Sequence, residues 1–196
     1  MAPSAVRLAD RVQPDAGAAI TGVAVVTALG CLAFAAVNVG FELTDRFAEG
    51  SYAEYASALA VMNWLVVGLK LLGGAVALLS VVPRQRLVSR SGMTLLLWGA
   101  FATLSVYSLG SVAQAVGMVT GMTGSVEQID VAGVAYVVGS IGFAVGFGVL
   151  AISYGRRHGL RRRAAIGGVL GAPALLVLLL LAIPALLAAA GLMPAG

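Results

Sequence analysis

Lys70 is the only lysine in the chain, and it stands inside an apolar run, Trp64-Leu65-Val66-Val67-Gly68-Leu69-Lys70-Leu71-Leu72. An ammonium at the centre of a bilayer costs roughly 2.5–3.5 kcal/mol on insertion scales, so this side chain is expected to face protein or water and to find a partner there. Asn63, seven positions earlier, falls on the same helical face and extends Lys70 into a polar seam. The preceding apolar run carries a matching seam, because Thr27, Cys31, Asn38 and Glu42 recur at steps of four, seven and four. Further along, Ser105, Ser108 and Ser111 share about a third of a helical circumference, and Tyr136 and Ser140 lie one turn apart. These residues suggest a polar pocket open to the outside, with Lys70 at its floor and Asn38, Glu42, Asn63, Ser105, Ser108, Tyr136 and Ser140 along its walls.

Three kinds of chemistry fit such a set. The Lys70 ammonium would bind an anion or exchange a proton in a transporter or channel subunit. A protonated Glu42, supported by Asn38 and with Lys70 nearby, would donate to an isoprenoid double bond or epoxide in a membrane enzyme acting on prenyl or other lipids. Alternatively the same groups hydrogen-bond across helices, at ~0.6 kcal/mol each, in a non-enzymatic accessory subunit or a binder of a small or lipidic ligand. The last is the leading expectation, since one intramembrane charge makes a poor ion pathway and the chain has no HExxH pair, GxSxG elbow or phosphate-binding glycine loop. Cys31 and His158 are each the only residue of their type, so no metal site and no cofactor are expected.

The elements that must position these residues are membrane helices. With 60% hydrophobic and 10% charged residues and a mean hydropathy of +1.01, the chain is far more apolar than a soluble domain, where about a quarter of residues are charged. Runs over 17–42, 56–82, 92–119, 131–154 and 164–190 each reach the ~20 residues needed to cross ~30 Å of hydrocarbon. The expected fold is therefore all-α: a single five-helix transmembrane domain over 17–190, between an amino-terminal tail, 1–16, and a carboxyl-terminal tail, 191–196. The first run is too long for the ~7–15 residue apolar core of a cleaved signal. Pro173 and Pro184 interrupt the fifth, leaving a kinked span or, as the alternative, a re-entrant hairpin.

Charges between the runs alternate in sign. Arg7 and Arg11 precede the first run, and Glu42, Asp45, Arg46, Glu49 and Glu54 follow it. Arg84, Arg86 and Arg90 follow the second, Glu127 and Asp130 the third, and Arg156, Arg157, Arg161, Arg162 and Arg163 the fourth. By the positive-inside rule the amino terminus is cytoplasmic and the carboxyl terminus extracytoplasmic. The same rule accounts for the pI near 9.7, so no nucleic-acid partner is expected. Arg156, Arg157, Arg161, Arg162 and Arg163 are candidates for gripping anionic lipid headgroups. Tyr52 and Tyr55 suggest a short interfacial helix in the outer segment Thr44 to Ser57. Gly139, Gly142 and Gly146 form a small-residue strip suited to close packing within the chain, or to a homo-oligomer or larger membrane complex. Arginine in place of lysine, with abundant Gly and Ala, points to a bacterial cell membrane.

Overall fold

The computed structural model describes residues 15–46, 48, 53, 55–83 and 86–191. The tails at 1–14 and 192–196, and Arg7, Arg11, Glu49, Tyr52, Glu54 and Arg84, lie outside the described residues, as do six residues of the expected interfacial segment, 47, 49–52 and 54. Five long helices make up the fold: α1 (Ala18–Leu43), α2 (Ala56–Leu79), α3 (Arg90–Val119), α4 (Val131–His158) and α5 (Arg162–Ala189), with a 3-10 turn at Val126–Gln128. Each is long and apolar enough to cross a membrane, and no strand is found among the described residues. Their observed ends fall close to the limits of the apolar runs, because water returns as a hydrogen-bond partner where the charges begin.

Local chemistry sets several ends. Ser89 caps α3 by accepting from the Gly92 amide at 3.0 Å, and Asp130 caps α4 by accepting from the Gly133 amide at 2.7 Å. Gly159 ends α4 at a φ of 79°, a left-handed conformation glycine adopts without a Cβ clash, and α5 begins only three residues later. Pro173 and Pro184 leave α5 as one continuous 28-residue helix; the re-entrant alternative is not adopted.

In space the principal neighbours run α2, α1, α4, α3, α5, with α2 also touching α3 and α5. Cys31 meets Gly73 and Gly74, Thr27 meets Gly146, Phe101 meets Gly148, and Gly99 meets Gly168. Second contacts fix the directions: with Asn38–Asn63, α1 is antiparallel to α2; with Phe34–Gly139, α1 is antiparallel to α4; with Ser108–Ser140, α3 is antiparallel to α4; and with Leu95–Gly168 and Gly99–Ala172, α3 is parallel to α5. The turns therefore sort charge between two ends. Among the described residues one end carries Arg86, Arg90, Arg156, Arg157, Arg161, Arg162 and Arg163 with Asp15 the only acid, and the other carries Glu42, Asp45, Glu127 and Asp130 with Arg46.

A buried apolar cluster lies largely in the arginine-end half. Ala24, Ala28, Val76, Ala77, Leu97 and Leu150 belong to it together with Phe147, which reaches from α4 to Gly73 on α2. At the same end Arg157 of α4 donates to the Ser80 carbonyl at 3.0 Å, placing a guanidinium at the carboxyl terminus of α2, where the helix dipole favours a cation. On α5 the most apolar stretch has no buried residue, so this helix is held chiefly along one side, by α3.

Candidate functional site: a polar clasp between the first two helices

In the half of the bundle toward the acidic end, α1 and α2 face each other through Asn38, Glu42, Asn63 and Lys70. The Lys70 Nζ donates to Asn38 Oδ1 at 2.6 Å and to the Phe34 carbonyl at 3.3 Å. Asn38 Nδ2 in turn donates to Asn63 Oδ1, and Asn63 Nδ2 donates to Glu42 Oε1 at 2.6 Å and to the Asn38 carbonyl at 2.8 Å. An ammonium can only donate and a carboxylate can only accept, so the two charges fix the orientation of both amides between them. The result is a head-to-tail chain, Lys70 to Asn38 to Asn63 to Glu42, covering about 12 Å of the α1 axis from Phe34 to Glu42.

The sequence makes this arrangement available through helical spacing alone. Phe34, Asn38 and Glu42 are successive four-residue steps on α1, while Asn63 and Lys70 are two turns apart on α2. Antiparallel packing then sets Asn63 beside Asn38 and Glu42, and Lys70 beside Phe34 and Asn38. Asn63 is buried, and Asn38, Glu42 and Lys70 are half-buried. The Lys70 Nζ also lies 5.2 Å from the Phe34 ring centroid, within reach of the negative face of the ring.

Phe34 carries the clasp across to α4. Its ring meets Tyr136 edge-on at 5.3 Å between centroids and Phe143 at 5.2 Å. Gly139 makes room for it, since a methyl group added there would lie 2.7 Å from the Phe34 ring. Gly146 accommodates Thr27 in the same way, and Gly30 on α1 accommodates Phe143. Two of the three strip glycines are thus filled by α1, whereas a methyl group on Gly142 would meet nothing within 4 Å.

The remaining sequence candidates sit on a different seam. Ser108 donates to Ser140 at 2.9 Å between α3 and α4, and Ser140 also donates to the Val137 carbonyl at 2.8 Å. Ser105 is half-buried one turn before Ser108 and joins neither network. Tyr136 lies between the two groups, its hydroxyl shielded and without a hydrogen-bond partner among the described residues. Arg156, Arg161, Arg162 and Arg163 are exposed, while Arg157 is half-buried against Ser80. Sequence reasoning missed the Phe34 carbonyl and ring and the Ser80 carbonyl, because a backbone acceptor or an apolar ring leaves no polar mark in the sequence.

Chemically, the clasp holds charge in place. An asparagine amide has no readily released proton, so two in series link Lys70 to Glu42 electrostatically without conducting protons between them. No group of three or more His, Cys, Asp or Glu suited to a metal occurs among the described residues. Cys31 is buried against Gly73 and Gly74. Compared with known protein families, with curated proteins and with solved structures, the chain matches none.

Proposed function

We propose that the chain is a non-enzymatic, multi-pass protein of a bacterial cell membrane, acting as an accessory subunit of a larger membrane assembly. In this reading residues 17–190 form one transmembrane domain, with the arginine-rich end in the cytoplasm and the acidic end outside. The carrying observation is that Lys70, Asn38, Asn63 and Glu42 satisfy one another. A carrier would present its membrane-embedded charge to a cargo, and an acid catalyst would present its carboxyl to a substrate; here amides engage both. Much of what remains outward is apolar, including Leu170, Leu178 and Leu181 of the one-sidedly attached α5, a surface suited to lipid and to partner helices. The sorting of arginines and acids to opposite ends supports the threading.

Native electrophoresis of mildly solubilised membranes tests this reading, with proteoliposome flux assays on the purified chain alongside it. The expected result is migration well above 19.7 kDa with a stoichiometric second polypeptide whose abundance falls when this chain is deleted. Anion or proton flux by the purified chain alone, abolished by Lys70→Met, would contradict it. External labelling of a cysteine placed after Ala189 but not of one placed at Asp15 is the expected threading result.

A further inference from the structure

On the outer surface of the bundle, in the half nearer the arginine-rich end, α1 and α4 bound a groove of roughly 420 Å³, with the Thr27–Gly146 contact among its lining. Gly22, Val23, Val26 and Thr27 form one wall, and Gly142, Val145, Gly146 and Val149 the other. The walls are shallow because of the glycines: added methyl groups on Gly22 or Gly142 would meet no protein atom within 4 Å. What lies above the groove gives it direction. Along α4, Gly142, Val145, Val149, Ser153 and Arg156 follow one another at steps of three or four, and so share one face. That face passes from apolar, through a single hydroxyl, to an exposed guanidinium with no ion pair among the described residues. Val149 lies about 10 Å and Gly142 about 21 Å below Arg156, a depth comparable with one leaflet of a ~30 Å hydrocarbon core plus its headgroup region.

This order of surfaces matches a phospholipid: hydrocarbon chain, ester level, phosphate. We propose that the α1–α4 groove and Arg156 together hold one anionic phospholipid of the leaflet at the arginine-rich end, an acyl chain in the groove and the phosphate on Arg156. Charge complementarity favours a lipid over a second copy of the chain, whose matching face would set Arg156 or other arginines of the same end against this guanidinium if two copies paired in parallel. The neighbouring Arg161, Arg162 and Arg163 strengthen the preference for a negative headgroup, against a single acid, Asp15, at that end among the described residues. The inference is independent of any accessory role, since it concerns the isolated chain.

Native mass spectrometry of the purified full chain, released from detergent after incubation with equal amounts of phosphatidylglycerol and phosphatidylcholine, tests it. The expected result is one lipid retained per chain, with phosphatidylglycerol favoured by roughly fivefold for one interfacial arginine. Gly142→Leu and, independently, Gly22→Leu should fill the groove and remove retention of both lipids without lowering thermal stability. Arg156→Gln should keep a lipid but weaken the preference for the anionic one, leaving only what Arg161, Arg162 and Arg163 contribute. Wild-type retention in both glycine variants, an unchanged preference in Arg156→Gln, or a groove occupied by a second copy in place of lipid would each overturn the proposal.

Discussion

Where α1 meets α2, polar side chains join the helices; where α3 meets α5, the joint is made of backbone. The first seam places an ammonium, two amides and a carboxylate between the helices. At the second, a methyl group on Gly168 would lie 2.5 Å from the Leu95 carbonyl oxygen, and one on Gly99 would lie 2.8 Å from Ala172 Cβ. Hydrocarbon gives no hydrophobic push to join helices, so contact must come from hydrogen bonds or from close packing of small residues. This molecule applies the two devices unequally: the α1–α2 seam adds its polar groups to a glycine contact, Gly73 and Gly74 against Cys31, whereas the α3–α5 seam rests on glycines. Polar groups specify register, since Lys70 and Glu42 fit only one alignment of α1 on α2, whereas glycines specify only nearness.

The contrast is most sharply broken at the glycine seam. Gly168→Leu should displace α5 from α3 at a cost of about 3 kcal/mol, because the obstacle is backbone that cannot rotate away. Cysteine cross-linking between α3 and α5 should be lost while the α1–α2 pair still cross-links; retention of both would show that the glycine contact is dispensable.

Asn63→Leu comes next. It removes three hydrogen bonds and leaves Glu42 and the Asn38 amide without their partner, at a cost of about 2 kcal/mol. Detergent unfolding should show the loss in the α1–α2 hairpin, with the α3–α5 cross-link unaffected. A smaller effect separates two glycines of α4. Gly139→Ala crowds Phe34 beneath Lys70 and should cost about 1 kcal/mol, whereas Gly142→Ala meets open space and should cost nothing measurable. Equal thermal shifts for the two would remove Phe34 from the account of the clasp.

Much of this architecture can be read from residue order. The five helices follow from run length, because a bilayer imposes a minimum span and forces backbone groups to pair within each helix. The two polar seams also stand out, since a lone Lys70 among leucines and valines has few places to go and Asn63 shares its face. Which helices become neighbours is less visible. The outward and inward faces of α3, α4 and α5 are both apolar, so composition does not announce that α1 lies against α4 or that α5 docks on α3. For the same reason Ser108 and Ser140 look from spacing like further walls of one pocket, yet they bond each other on the α3–α4 seam. The order of the clasp, with Asn38 and Asn63 between the charges, depends on antiparallel register and emerges only once the helices are placed.

The central claim is that Lys70 and Glu42 are tied to each other through two amides. A double-mutant cycle on Lys70→Met and Glu42→Gln, read by unfolding equilibrium in detergent at neutral pH, measures that tie directly. Each single change should destabilise, because it leaves the opposite charge without its counterpart. The double variant should be less destabilised than the sum of the two, with a coupling of about 1 kcal/mol or more. Strict additivity, within about 0.3 kcal/mol, would contradict the clasp and leave Lys70 and Glu42 as independent groups.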